Sequence, residues 1–112
     1  MNYTIHITGK AERDLNDAVD YIDYNLLNPL AADRLLEKTE AEINKLATMP
    51  KRHKIVDDPV LAAWGIRFIR INNYLAFYIV DEENKIVHLV RFLYGKRDWI
   101  SILRAEEESS KI

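Results

Sequence analysis

Apolar positions change their spacing twice along this chain. Residues 3–7, Y-T-I-H-I, alternate with the period of two expected of a short strand, and so few residues suit the edge of a sheet. From Ala11 onward the spacing becomes three and four: Ala11, Leu15, Ala18 or Val19, Ile22 and Leu26 form one stripe of an amphipathic helix, with Thr8 placed as its N-cap. Asn28-Pro29 then pairs a preferred capping residue with a proline pre-set for the first helical position, so a second helix starts there. Its stripe is Ala32, Leu36, Thr39, Ile43, Leu46 and Ala47, and it ends near Met49-Pro50, because a residue before proline is pushed out of the α region. The short gap predicts an antiparallel helix hairpin that must bury both stripes against a sheet.

Residues 51–64 read as a loop turning at Asp58-Pro59, with Lys51, Arg52, His53 and Lys54 as a basic cluster that suits either a phosphate or the helix C-terminal dipole. Between Gly65 and Trp99 the period returns to two. Three runs rich in Ile, Val, Phe and Tyr, separated by Asn72-Asn73 and by residues 81–84, predict an antiparallel meander. A two-residue turn at Asn72-Asn73 sets Ile66, Phe68, Arg70, Leu75, Phe77 and Ile79 on one face. A three-residue second loop, with Asn84 left-handed and Asp81 opposite Lys85, adds Val87, Leu89, Arg91 and Leu93 to it; a four-residue loop would send those four to the other side. The opposite face, Ile69, Ile71, Ala76, Tyr78, Val80, Val90 and Phe92 with His88 as a hydrogen-bonded core histidine, is expected beneath the helices. An unpaired guanidinium buried there would cost more than a Phe gains, so Arg70 and Arg91 are expected on an uncovered, apolar face that asks for a partner. Asp98 can cap a last helix to about Glu106, before a polar tail at about 107–112 that is expected to fray.

Composition adds bounds. The 112 residues suit a single domain spanning 1–112. No apolar run approaches a membrane span, the N-terminus carries no export signal, and no cysteine is present, which suits a reducing cytoplasm. Residues 1–50 carry five Lys/Arg against nine Asp/Glu, whereas residues 51–104 carry ten against six, so an acidic helical half adjoins a basic sheet half that could face an anionic partner. Asp14, Asp17, Asp20 and Asp23 read as a solvated helix face, without histidine at ligand spacing; no metal or cofactor is implied.

These residues carry a resemblance. A-E-R-D-L at 11–15, N-P-L-A-A at 28–32, L-A-T-M-P at 46–50, G-I-R at 65–67, N-Y-L-A-F-Y at 73–78 and R-F-L-Y-G-K-R-D-W at 91–99 together resemble toxins of type II toxin-antitoxin modules in the RelE/ParE superfamily. The resemblance implies an α+β fold, β-α-α-β-β-β plus a short C-terminal helix, and a cognate antitoxin forming a hetero-oligomer with the toxin and masking it. Phe68, Leu75, Phe77, Val87 and Leu89 are the expected antitoxin-binding residues, with Arg70, Arg91 and Arg97 facing the target. RelE-like relatives cut mRNA on the ribosome, whereas ParE-like relatives inhibit DNA gyrase. Arg97 matches a basic ribonuclease position, and Tyr94, with Arg91 beside it, is the candidate for proton transfer. Two positions depart from the ribonuclease pattern: Leu75 replaces its arginine and Leu93 the histidine of one branch, and the last helix lacks the RelE tyrosine. The motifs favour the ParE branch and gyrase inhibition; mRNA cleavage is the alternative. In the ParE reading Arg67 and Arg91 tie the sheet to nearby carboxylates or carbonyls.

Overall fold

The computed structural model describes residues 2–110. Strand β1 (Thr4–Ile7) leads through Thr8 into helix α1 (Gly9–Asp20), and the Thr8 hydroxyl accepts from the Ala11 amide, the capping geometry expected of it. Helix α2 (Pro29–Asn44) begins at Asn28, whose side chain accepts from the Ala31 amide, and closes with a 3-10 turn at Lys45–Ala47. Ala32, Leu35, Thr39, Ile43 and Leu46 are its buried positions, so Leu35 takes the innermost place expected of Leu36, which is only partly buried.

The end of the first helix departs from expectation. Tyr21–Asn25 forms a π-turn in which the Leu26 amide donates to the Tyr21 carbonyl, five residues back, at 3.1 Å. The wider turn rotates the chain past the core, so Leu26 leaves the predicted stripe and is 55% exposed. Leu27 then takes a left-handed φ of 51° before Asn28 starts α2.

The stretch read as a loop contains a short helix, α3 (Pro59–Ala63), because Asp58 caps the Leu61 amide and Pro59 supplies the first turn. Strands β2 (Arg67–Ile71), β3 (Tyr74–Asp81) and β4 (Ile86–Tyr94) form the meander, in the sheet order β1-β4-β3-β2 with β1 parallel to β4 at an edge. The first hairpin pairs Ile71 with Tyr74 as expected, Asn72 taking a φ of 55°. The second does not follow the three-residue loop. Asp81 pairs with Ile86 and Lys85 holds the left-handed position at φ 56°, because the Asp81 carboxylate accepts from both the backbone and side-chain amides of Asn84.

That longer loop inverts the first half of β4. Val87 and Leu89 lie under the helix hairpin instead of joining Phe68, and His88 turns to the opposite side. A β-bulge then inserts Val90: Leu89 faces Tyr78, but Arg91 faces Phe77. Beyond it the expected faces return, Phe92 with Ala76 and Leu93 with Leu75, while Val90 sides with Leu93.

The sheet is covered on both faces. One core joins α1 and α2 to Ile69, Ile71, Ala76, Tyr78, Val87, Leu89 and Phe92. The other lies beneath helix α4 (Trp99–Ser110) and α3, where Val56, Leu61, Ile66, Leu75, Phe77, Leu93 and Leu103 are buried. Helix α4 thus runs beyond the predicted end at Glu106, and the expected frayed tail falls partly on residues 111–112, which lie outside the described residues. The predicted open apolar face is sealed by the chain's own C-terminal helix: Leu75 and Phe77 are 3% and 0% exposed. Among the described residues no helix is long and apolar enough to cross a membrane.

Candidate functional site

The four arginines of the meander have separate fates. Arg67 Nη1 donates to the carbonyls of His53 at 2.6 Å and Lys51 at 3.5 Å, tying β2 to the basic loop. Lys51 is itself paired with Glu82, and burial first, then Arg52, holds the His53 imidazole below its ordinary pKa. This loop thus serves as a strut for β2.

Arg91 is likewise engaged. Its Nε and Nη2 reach the two Asp14 oxygens of α1 at 2.5 and 2.9 Å, its Nη1 reaches Glu106 of α4, and the Phe92 amide donates to Asp14 at 3.0 Å. The bulge places Arg91 where it can clamp the helices on both faces of the sheet. It is therefore the tie to carboxylates expected in the ParE reading, and not the free, uncovered guanidinium expected from the strand faces.

Arg70 and Arg97 are different. Both are exposed, as is Lys96, and none of the three has an ion-pair partner among the described residues. The turn that carries Lys96 and Arg97 meets the hairpin of Arg70 at Gly95, whose amide donates to the Asn73 carbonyl at 2.7 Å. A Cβ on Gly95 would come within 3.2 Å of that carbonyl oxygen and 3.8 Å of Arg70 Nη1.

Beside this basic corner opens a cleft of about 570 Å³ lined by Tyr21, Ile22, Leu26, Asn73, Tyr74 and Tyr94. A shallower recess of about 340 Å³ shares Tyr21, Tyr74 and Tyr94 and runs to Arg97, Asp14 and Asp17. Tyr74 stacks on Phe92, with ring centroids 5.0 Å apart, and meets Tyr94 edge-on at 5.7 Å. Burial, then the neighbouring Tyr94 and Tyr21, raises the Tyr74 phenol above its ordinary pKa, so it is a poor base near neutrality. Tyr94 is 38% exposed and shares the recess with Arg97. The sequence identified Tyr94 and Arg97 but not Tyr21, which lies off the apolar stripe, nor the lip at Leu26, which the π-turn brings outward.

The second core removes two further groups from any surface chemistry: Leu75 and Leu93 are 3% and 1% exposed. Phe77, between Phe68 and Trp99, is fully buried, while Phe68 keeps part of its surface. Helix α4 is pinned there by Arg104, whose Nε and Nη2 reach Asp58 at 3.2 and 2.5 Å. That bond is the main reason the Asp58 carboxyl is held below the ordinary carboxylate range. A depressed carboxylate stabilises the fold above its unfolded pKa and loses that contribution as pH falls through the lower native value. Wild-type protein is therefore expected to be more stable than Asp58→Asn at pH 5, with the gap closing as pH falls below the usual carboxylate range in urea unfolding.

Comparison with protein families matches residues 5–99 to the family described as the ParE toxin of type II toxin-antitoxin system, parDE. The chain belongs to the ParE toxin family. Among solved structures this toxin superposes on the chromosomal ParDE system of P. aeruginosa with a TM-score of 0.67 at 17% identity, covering 84% of this chain and 97% of that one. The RelBE2 toxin-antitoxin complex of Mycobacterium tuberculosis follows at 0.58 and 25%, covering 84% and 99%. The isolated E. coli RelE toxin gives 0.52 at 14%, covering 94% and 97%. Comparison with curated proteins gives no match. The fold of this ParE-family toxin is thus that of the RelE/ParE superfamily, α+β with the helix hairpin, twisted sheet and C-terminal helix expected.

Proposed function

We infer that this ParE-family toxin arrests growth by binding DNA gyrase at the basic, tyrosine-lined corner, without hydrolysis, until a cognate antitoxin masks it. The observation that carries this reading is the placement of Leu75 and Leu93. By the family resemblance these stand where ribonucleases carry arginine and, in one branch, histidine; both are buried under α4, so the corner offers Arg70, Arg97 and Tyr94 but no paired general acid and base. Cations and aromatic rings around an open cleft suit recognition of a macromolecular surface.

The antitoxin reading changes with the structure. Phe68, Leu75 and Phe77 are in place to receive an amphipathic segment only if that segment replaces α4; Val87 and Leu89, on the other face, drop out of the set. The RelE-like fold keeps ribosome-dependent mRNA cleavage as the second reading, through Tyr94 and Arg97.

A supercoiling assay with purified gyrase and relaxed plasmid separates the two. Wild-type toxin is expected to inhibit at micromolar concentration, and Arg97→Glu to lose at least about tenfold in potency while its folding stability stays within about 0.5 kcal/mol, as for a surface substitution. Unimpaired supercoiling, together with new mRNA cleavage on ribosomes, would decide for the second reading.

A further inference from the structure

The fold brings together two histidines that are 82 residues apart. His6 on β1 and His88 on β4 are direct partners in parallel register, one strand spacing of about 4.8 Å apart, on the face turned away from α1 and α2. There Nδ1 faces Nδ1 at 2.8 Å, with the rings nearly perpendicular at 88°. Two such nitrogens share one proton: one ring donates it and the other accepts through its lone pair. The two Nδ1 atoms therefore face one another within the span of one ion, which a turn of each ring off the line between them would seat, and solvent reaches them, since His6 is exposed and His88 half-buried.

We propose that His6 and His88 form a bidentate site for a divalent transition-metal ion of square-planar or octahedral preference, Ni²⁺ or Cu²⁺. The bite sets the class of ion. With metal–nitrogen bonds of about 2.0–2.1 Å, nitrogens 2.8 Å apart subtend close to a right angle, whereas tetrahedral Zn²⁺ needs them about 3.3 Å apart. Among the described residues no group of three His, Cys, Asp or Glu is arranged for a metal, so water completes the coordination. Asp81, on the same side of β3 as the His88 partner Ile79, is close enough for its charge to interact with His88 and adds a favourable field for a cation. On binding, the shared proton moves from its Nδ1 to the Nε2 of the same ring by way of solvent, and neither ring changes charge. The ion then pins the edge strand β1 to β4.

The test uses tag-free protein titrated with nickel or copper chloride. One saturable equivalent is expected, with Cu²⁺ broadening of amide resonances centred on His6, His88 and their strand neighbours, and a melting temperature that rises with metal and returns with EDTA. His6→Asn and His88→Asn are each expected to weaken binding at least about tenfold, the scale of losing support at a metal site, and His53→Asn to leave it unchanged. Broadening centred on His53, on the N-terminus or on the aspartates of α1 would overturn the site, as would His6→Asn and His88→Asn proteins that bind like the parent. The broadening map is read on the unmodified chain and does not depend on either variant folding.

Discussion

Replacing Asp14 with alanine is expected to cost about 3 kcal/mol of folding stability, the low end for breaking a buried ion pair. Asp14 and Arg91 side chains are 14% and 13% exposed, so solvent screens them little. In the variant the guanidinium keeps only Glu106, and the Phe92 amide loses its acceptor. An unsatisfied donor and a half-neutralised cation act at the bulge that connects both cores. Urea unfolding should show a lower midpoint with an unchanged slope. Adding Arg91→Met should restore part of the loss, because the penalty lies in the orphaned charge and not in the absence of the pair.

Deleting residues 98–112 is expected to have a still larger effect. Helix α4 covers Leu75, Phe77 and Leu93, and losing such cover costs about 1.5–3 kcal/mol for each side chain. Three of them amount to much of the 5–15 kcal/mol that holds a typical domain together. The truncated chain should bind a hydrophobic dye and self-associate when alone. On the functional reading proposed above, cognate antitoxin should bind it more tightly than the full chain, because no helix has to leave first. A truncated chain that stays monomeric and dye-free, with parental stability, would show that the face needs no cover.

These two results rest on features with different visibility in the sequence. The caps at Thr8, Asn28 and Asp98, the proline that starts α2 and the Asn72-Asn73 turn were legible because each acts through its immediate neighbours. Strand register past residue 81 was not. The Asx geometry of Asp81 and Asn84 makes the loop one residue longer than the charge pairing of Asp81 with Lys85 suggested, and the Val90 bulge then reverses the consequence. Two compensating shifts left Phe92 and Leu93 on their expected faces but moved Val87, His88, Leu89 and Val90.

The exposure of Leu26 escaped for a related reason: a π-turn depends on how the hairpin closes, which apolar spacing does not encode. The sheet departs furthest from its sequence pattern. The cost of burying a charge places arginines on an uncovered face, yet Arg91 finds Asp14 and Glu106, residues far apart in sequence, and α4 brings Trp99 onto Phe77. Family motifs identified Tyr94 and Arg97 and, in the ParE reading, anticipated Arg67 and Arg91 as ties to carbonyls and carboxylates; the fold supplies their partners, His53 and Asp14, and leaves Arg70 and Arg97 exposed.

Trp99 reports most directly on the central claim, that the apolar face is closed by α4 in the free toxin and becomes the antitoxin seat when α4 leaves. Its ring lies 5.1 Å from that of Phe77. In a Trp64→Phe protein, where Trp99 is the sole tryptophan, emission should be blue-shifted and poorly quenched by acrylamide in the free chain, then red-shifted and readily quenched once cognate antitoxin is saturating. A solvent-like Trp99 in the free chain, or one whose emission and quenching stay unchanged on the antitoxin complex, would contradict it.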